Sequence, residues 1–117
     1  MTTTINFEGE DYLVDINFTY HAMDRMIDRC VSKSRIISCI ERGLGYVLDD
    51  AEKNLSCPHK IFTSLVHSRE NFKVILLGRW KSKSRTELNI VVITILLDLF
   101  NSRRNVKKYK NTKTHIV

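Results

Sequence analysis

Hydrophobic positions change period near residue 43, and that change divides the chain into a helical first part and a strand-rich second part. Residues 12–18 alternate loosely through Leu13, Val14, Ile16 and Phe18, which predicts a strand. Thr19 then offers a helix N-cap. Ala22, Met23, Met26, Ile27 and Cys30 follow at the three- and four-residue spacing of a core-facing helical stripe, and the helix should stop by Cys30 or Val31. Ser32 starts a second helix with an apolar face of Ile36, Ile37 and Ile40, closed by Gly43. Beyond Gly43 the runs 46–48, 61–66, 72–77 and 88–97 read as strands of a meander, with turns at Asp49-Asp50, residues 68–71 and residues 81–84. Residues 51–59, which hold the only proline, Pro58, read as a surface loop.

The predicted fold is α+β, with two short N-terminal helices packed on one face of a four- to five-stranded antiparallel sheet. Residues 1–11, polar and with Gly9 as a turn, form a flexible N-terminus, frayed or adding a short edge element; residues 12–100 form a single domain; residues 101–117 form a basic tail that at most adds a short edge strand near residues 115–117.

Composition narrows the class. With 117 residues, 43% hydrophobic and 27% charged, the chain is long enough to close one core without staples. The apolar run at 90–97 is far shorter than the roughly 20 residues of a bilayer-spanning helix, so no membrane association is expected. Cys30, Cys39 and Cys57 cannot all pair, the opening residues do not read as a secretory signal, and Cys30 and Cys39 fall on helix faces that look buried. Together these predict reduced thiols and a cytoplasmic location. The formal charge is +6, and its distribution matters more than its size. Arg103, Arg104, Lys107, Lys108, Lys110 and Lys113 lie in the tail with no acid among them, and the remaining Lys and Arg equal the Asp and Glu of the first hundred residues. The tail therefore carries the whole excess, which suits backbone contacts to nucleic acid through Arg103, Arg104, Lys107, Lys108 and Lys110.

The chemistry-bearing pattern is His21, Arg25 and Arg29, spaced by four on the first helix. Each step of four advances about 40° around a helix, so an imidazole and two guanidiniums line one face over roughly 12 Å. One reading is a solvated face whose ion pairs with Asp24 and Asp28 contribute little. The other is an anion site, because Arg25 and Arg29 repel each other at i, i+4 unless an anion or a distant carboxylate sits between them. The sequence has no Gly-rich phosphate loop, HExxH helix, paired-cysteine zinc spacing or Gly-x-Ser-x-Gly elbow. Cys57, His59 and His67 offer at most three metal ligands with no fourth, and a buried Cys30 or Cys39 would behave as a small hydrophobe rather than a nucleophile. No metal or other cofactor is expected.

The segment from Tyr20 to Ser32, followed by Ile36, Ile37, Glu41 and Gly43, resembles small bacterial and phage domains of unknown function whose first helix reads H-A-x-x-R-M-x-x-R-x-[IV]-S. Those domains are similar in layout to RelE/ParE-type toxins and to the wider barnase–EndoU–colicin–RelE group of metal-independent ribonucleases. The resemblance implies a RelE-like fold, RNA as partner, a cognate antitoxin or immunity protein, and cleavage without metal. It assigns His21 the acid or base role and Arg25 and Arg29 the phosphate clamp, and it assigns no residue of the last strand. Histidine has the pKa for the proton transfers, and arginine has the forked geometry for phosphate oxygens. The alternative is a non-catalytic module of the same fold that binds nucleic acid or protein.

Overall fold

The computed structural model describes residues 1–97 and 113–117. In chain order the elements are β1 (Thr2–Phe7), β2 (Glu10–Phe18), α1 (Tyr20–Asp28), α2 (Lys33–Arg42), α3 (Leu44–Ser56), β3 (Thr63–Val66), β4 (Lys73–Trp80), β5 (Glu87–Leu96) and β6 (Thr114–Ile116). The six strands form one sheet in the order β1-β2-β5-β4-β3-β6.

The class is α+β, but the predicted layout of two helices on four or five antiparallel strands is wrong on three points. First, a third helix, α3, occupies residues expected to hold a strand, a turn and a loop. The run Tyr46-Val47-Leu48 is rich in β-formers, yet Leu44, Val47 and Ala51 are buried at helical spacing while Asp49 and Glu52 face solvent. Only one residue, Gly43, separates α2 from α3, and its backbone amide bonds back to Cys39. Second, the sheet is mixed. β2 pairs in parallel with β5 and β6 in parallel with β3, while β1–β2, β3–β4 and β4–β5 are antiparallel. Third, the strands number six among the described residues, because both termini supply the short edge strands that the sequence allowed at residues 1–11 and 115–117. Residues 2–7 form the edge strand β1, joined to β2 through Glu8 and Gly9 at φ 52° and 85°; positive φ at both loop residues is the geometry that matches the twist of a two-residue hairpin. At the opposite edge the Val117 amide donates to the Val66 carbonyl at 2.8 Å.

The helix ends follow from local chemistry. Thr19 Oγ1 accepts from the Ala22 amide at 3.0 Å and donates to the Ile93 carbonyl at 2.9 Å, so one hydroxyl starts α1 and ties it to β5. Ser32 Oγ accepts from the Arg35 amide at 3.3 Å to start α2. Caps of this kind stabilise by about 1 kcal/mol. α1 ends in a Schellman motif: Val31 N–H bonds to the Met26 carbonyl and Cys30 N–H to the Ile27 carbonyl, with Cys30 left-handed at φ 53° and Val31 buried with Met26.

All three helices cover one face of the sheet. Val14, Ile16, Leu65, Val74, Leu76, Leu88, Ile90, Val92 and Ile95 meet Ala22, Met26, Ile36, Ile40, Leu44, Val47 and Ala51 there in a single core. A bulge in the β4–β5 pairing near Ile75 and Leu76 shifts the β5 alternation, which is how Ile95 joins Val92 in facing the helices. No helix among the described residues is long and apolar enough to cross a membrane.

Arg35 fastens α2 to the turn between β3 and β4. Its guanidinium donates to both carboxylate oxygens of Glu70 and to the Cys30 carbonyl, and lies 5.2 Å from the centre of the Phe72 ring. The hydrogen bonds from Arg35 hold the Glu70 carboxyl below its ordinary range. A group depressed in the folded state stabilises fully above its unfolded pKa, near 4.3 for Glu, and loses that contribution as pH falls through the lower folded value. Glu70→Gln should therefore flatten the acid side of the stability profile between about pH 5 and pH 3. Urea titrations of both proteins across that range check this, and parallel profiles would show that Glu70 is not coupled to folding.

Candidate functional site

α1 presents its buried side, Ala22 and Met26, to the sheet and leaves His21, Asp24 and Asp28 exposed. His21 and Arg25 stay on the outer surface one turn apart. Arg25 Nη1 lies 3.9 Å from Asp28 Oδ2, an exposed pair that restrains the guanidinium only weakly. Among the described residues His21 makes no hydrogen bond or ion pair, so its ring is open to solvent and to a ligand.

Arg29 behaves differently. It is the C-cap of α1, and its Nη1 donates to the Ile95 carbonyl near the end of β5. Burial, and then the neighbouring charge of Arg25, push its pKa below the ordinary guanidinium value, while Asp28 opposes the shift. It remains a cation, since a guanidinium gives up its proton only in strong base. The stripe is thus divided into two side chains facing outward and one bound to the sheet. The partner that relieves the Arg25–Arg29 repulsion is in part a backbone oxygen, which no spacing rule on the helix could reveal.

The remaining sequence candidates fall in separate places. Cys57 caps the C-terminal end of α3, His59 is exposed in the segment that follows, and His67 is buried beyond β3 with its Nδ1 accepting from the Arg69 amide at 3.0 Å. Among the described residues no group of three or more His, Cys, Asp or Glu is arranged to hold a metal ion. Cys30 is exposed, contrary to expectation, because the left-handed turn that ends α1 swings it off the core-facing stripe. Cys39 is buried, and burial pushes its thiol up to about 11, which disfavours the nucleophilic thiolate. Arg103, Arg104, Lys107, Lys108 and Lys110 lie outside the described residues.

The structure adds polar groups that the sequence reading missed. On the sheet face away from the helices, Lys60, Arg79 and Asn89 border a groove of about 160 Å³. Asn17 Nδ2 donates to Asn89 Oδ1 at 3.3 Å, and Asp15 lies 3.9 Å from Lys81. Asp15, Asn17 and Asn89 share that face because β2 and β5 run parallel in register, Asp15 opposite Asn89 and Asn17 opposite Val91. Alternation along β2 and β5 was the available signal, but it could not be used without the pairing. Comparison with protein-family models, with curated proteins and with solved structures returns no match for this chain.

Proposed function

We propose that the chain is a cytoplasmic RNA-binding domain of toxin type that cleaves RNA without metal, with His21 moving the proton and Arg25 meeting the phosphate. The observation that carries this reading is the pair itself: an imidazole without a partner among the described residues and a guanidinium held by one long exposed ion pair, on one outward helix face. In such a reaction the ribose 2′-oxygen attacks phosphorus as a base takes its proton, and the 5′-oxygen leaves as an acid returns one. An imidazole suits either transfer near neutral pH, and a guanidinium stabilises the charge that builds on the non-bridging oxygens. Arg29 supports the site indirectly by fixing the end of α1 to β5. A cognate antitoxin or immunity protein is the partner this class implies, and the tail residues Arg103, Arg104, Lys107, Lys108 and Lys110 would supply affinity for the RNA backbone.

A second reading, a non-catalytic binding module, is favoured by the engagement of Arg29, which leaves one guanidinium rather than two for a phosphate. Incubating purified protein with RNA separates the two. Cleavage is expected to persist in EDTA, to leave 2′,3′-cyclic phosphate ends, and to fall by about 10²-fold in His21→Ala. RNA binding without cleavage establishes the second reading, and cleavage that is indifferent to His21 removes α1 from the chemistry.

A further inference from the structure

A second groove, of about 450 Å³, opens where α3 meets the β3–β6 edge of the sheet. Lys53 from α3, Lys60 and Phe62 from the segment entering β3, and Lys113 and His115 from the C-terminal segment line it, with Asp50 as its only acid among the described residues. Asp50 is already engaged: Oδ2 accepts from Thr63 Oγ1 at 2.6 Å, and Oδ1 lies 3.8 Å from Lys53 Nζ. Lys60 and Lys113 are exposed and have no ion pair among the described residues. The His115 ring is fixed by stacking on Tyr46, with centroids 3.8 Å apart and planes 12° from parallel. Among the described residues the groove therefore combines two ammonium groups without an ion pair and a positioned imidazole, in a volume within the range of small-ligand sites.

We infer that this groove binds a nucleotide 5′-phosphate, with Lys60 and Lys113 on the phosphate and the His115 ring against the nucleoside. Lysines act as point charges on phosphate, and ring faces accept bases with little discrimination among them. A free nucleotide and the 5′ end of an RNA strand present the same chemistry. None of these residues lies on α1, so the inference stands apart from the proposed cleavage.

Calorimetric titration tests it with 5′-AMP, adenosine, and a short oligoribonucleotide carrying either a 5′-phosphate or a 5′-hydroxyl. Binding is expected for 5′-AMP or for the phosphorylated oligonucleotide, at least about tenfold tighter than for the probe lacking the phosphate. If both phosphorylated probes bind, the ligand is the nucleotide unit itself; if only the oligonucleotide does, it is an RNA end. Lys60→Glu and Lys113→Glu should each weaken binding by about tenfold or more, and Lys83→Glu, on the exposed turn between β4 and β5, should leave it within about twofold. Lys60 and Lys113 are exposed, so thermal unfolding of the variants should match that of the parent. Failure of both phosphorylated probes to bind, equal binding of phosphorylated and unphosphorylated probes, or affinity unchanged in both Lys60→Glu and Lys113→Glu would overturn the assignment.

Discussion

Replacing Phe72 by alanine is expected to lower the free energy of unfolding by about 3–5 kcal/mol, a large share of the roughly 5–15 kcal/mol that holds a domain of this size together. Phe72 is fully buried immediately before β4 and is the largest completely enclosed side chain among the described residues. Two losses combine in the variant. The cavity removes transfer energy and packing contacts from the centre of the core, and Arg35 loses the ring face beneath its guanidinium. Phe72→Leu separates the two: it refills most of the volume and removes the ring, so it should cost well under half as much. Denaturant midpoints of the parent and both variants measure the effect. A Phe72→Ala loss below about 1.5 kcal/mol would show that the core closes over the vacancy.

Gly78→Val is expected to destabilise by about 1–3 kcal/mol, with the cost set by one neighbour. Gly78 lies in β4 directly beneath α3, and a Cβ there would stand 2.8 Å from Val47 Cγ1 and 3.6 Å from the Val47 carbonyl oxygen. The helix has little room to retreat. Asn54 holds it in place by donating to both the Gly78 and Ile61 carbonyls at 3.1 Å while accepting from the Ile61 amide at 2.8 Å. Because the collision is local, removing the opposing methyls should relieve it. Val47→Ala combined with Gly78→Val should be less destabilised than the sum of the two single variants by about 0.5 kcal/mol or more. Simple additivity would place the strain elsewhere.

The parts of the fold that were legible in the sequence are those written in neighbouring residues. Thr19, Ser32 and Gly43 mark the ends of α1 and α2 because a cap acts within three or four positions of itself. The apolar runs of β4 and β5 declare themselves because Val, Ile and Leu crowd into short stretches that favour strands. Helix α3 was hidden because Tyr46, Val47 and Leu48 favour strands as isolated residues, and the burial of Leu44 and Ala51 that overrides this preference comes from packing on β4. Parallel pairing was hidden as well, since antiparallel and parallel partners share the same alternation. The candidate site divides in the same way. His21 and Arg25 were visible as a spacing of four, whereas the destination of Arg29 lies 66 residues away at Ile95. Lys60, Lys113 and His115 meet only through the tertiary fold.

The parallel union of β2 with β5 also sets an order of events for the nascent chain. The β1–β2 hairpin can close as soon as its own residues are free, but the strand it must lie beside arrives late: Asn17 bonds Asn89 across 72 residues. At about 5–20 residues per second, translation leaves the hairpin without that neighbour for roughly 4–14 s. During this interval Val14 and Ile16, fully enclosed in the finished domain, have no β5 to pair beside, and the inner edge of β2 is open to any extended segment nearby. Contacts this distant also slow folding once the chain is complete, because loop closure precedes the packing that rewards it. The same register that lines up Asp15, Asn17 and Asn89 on the open face thus leaves a strand edge unpaired on the newborn chain until β5 emerges.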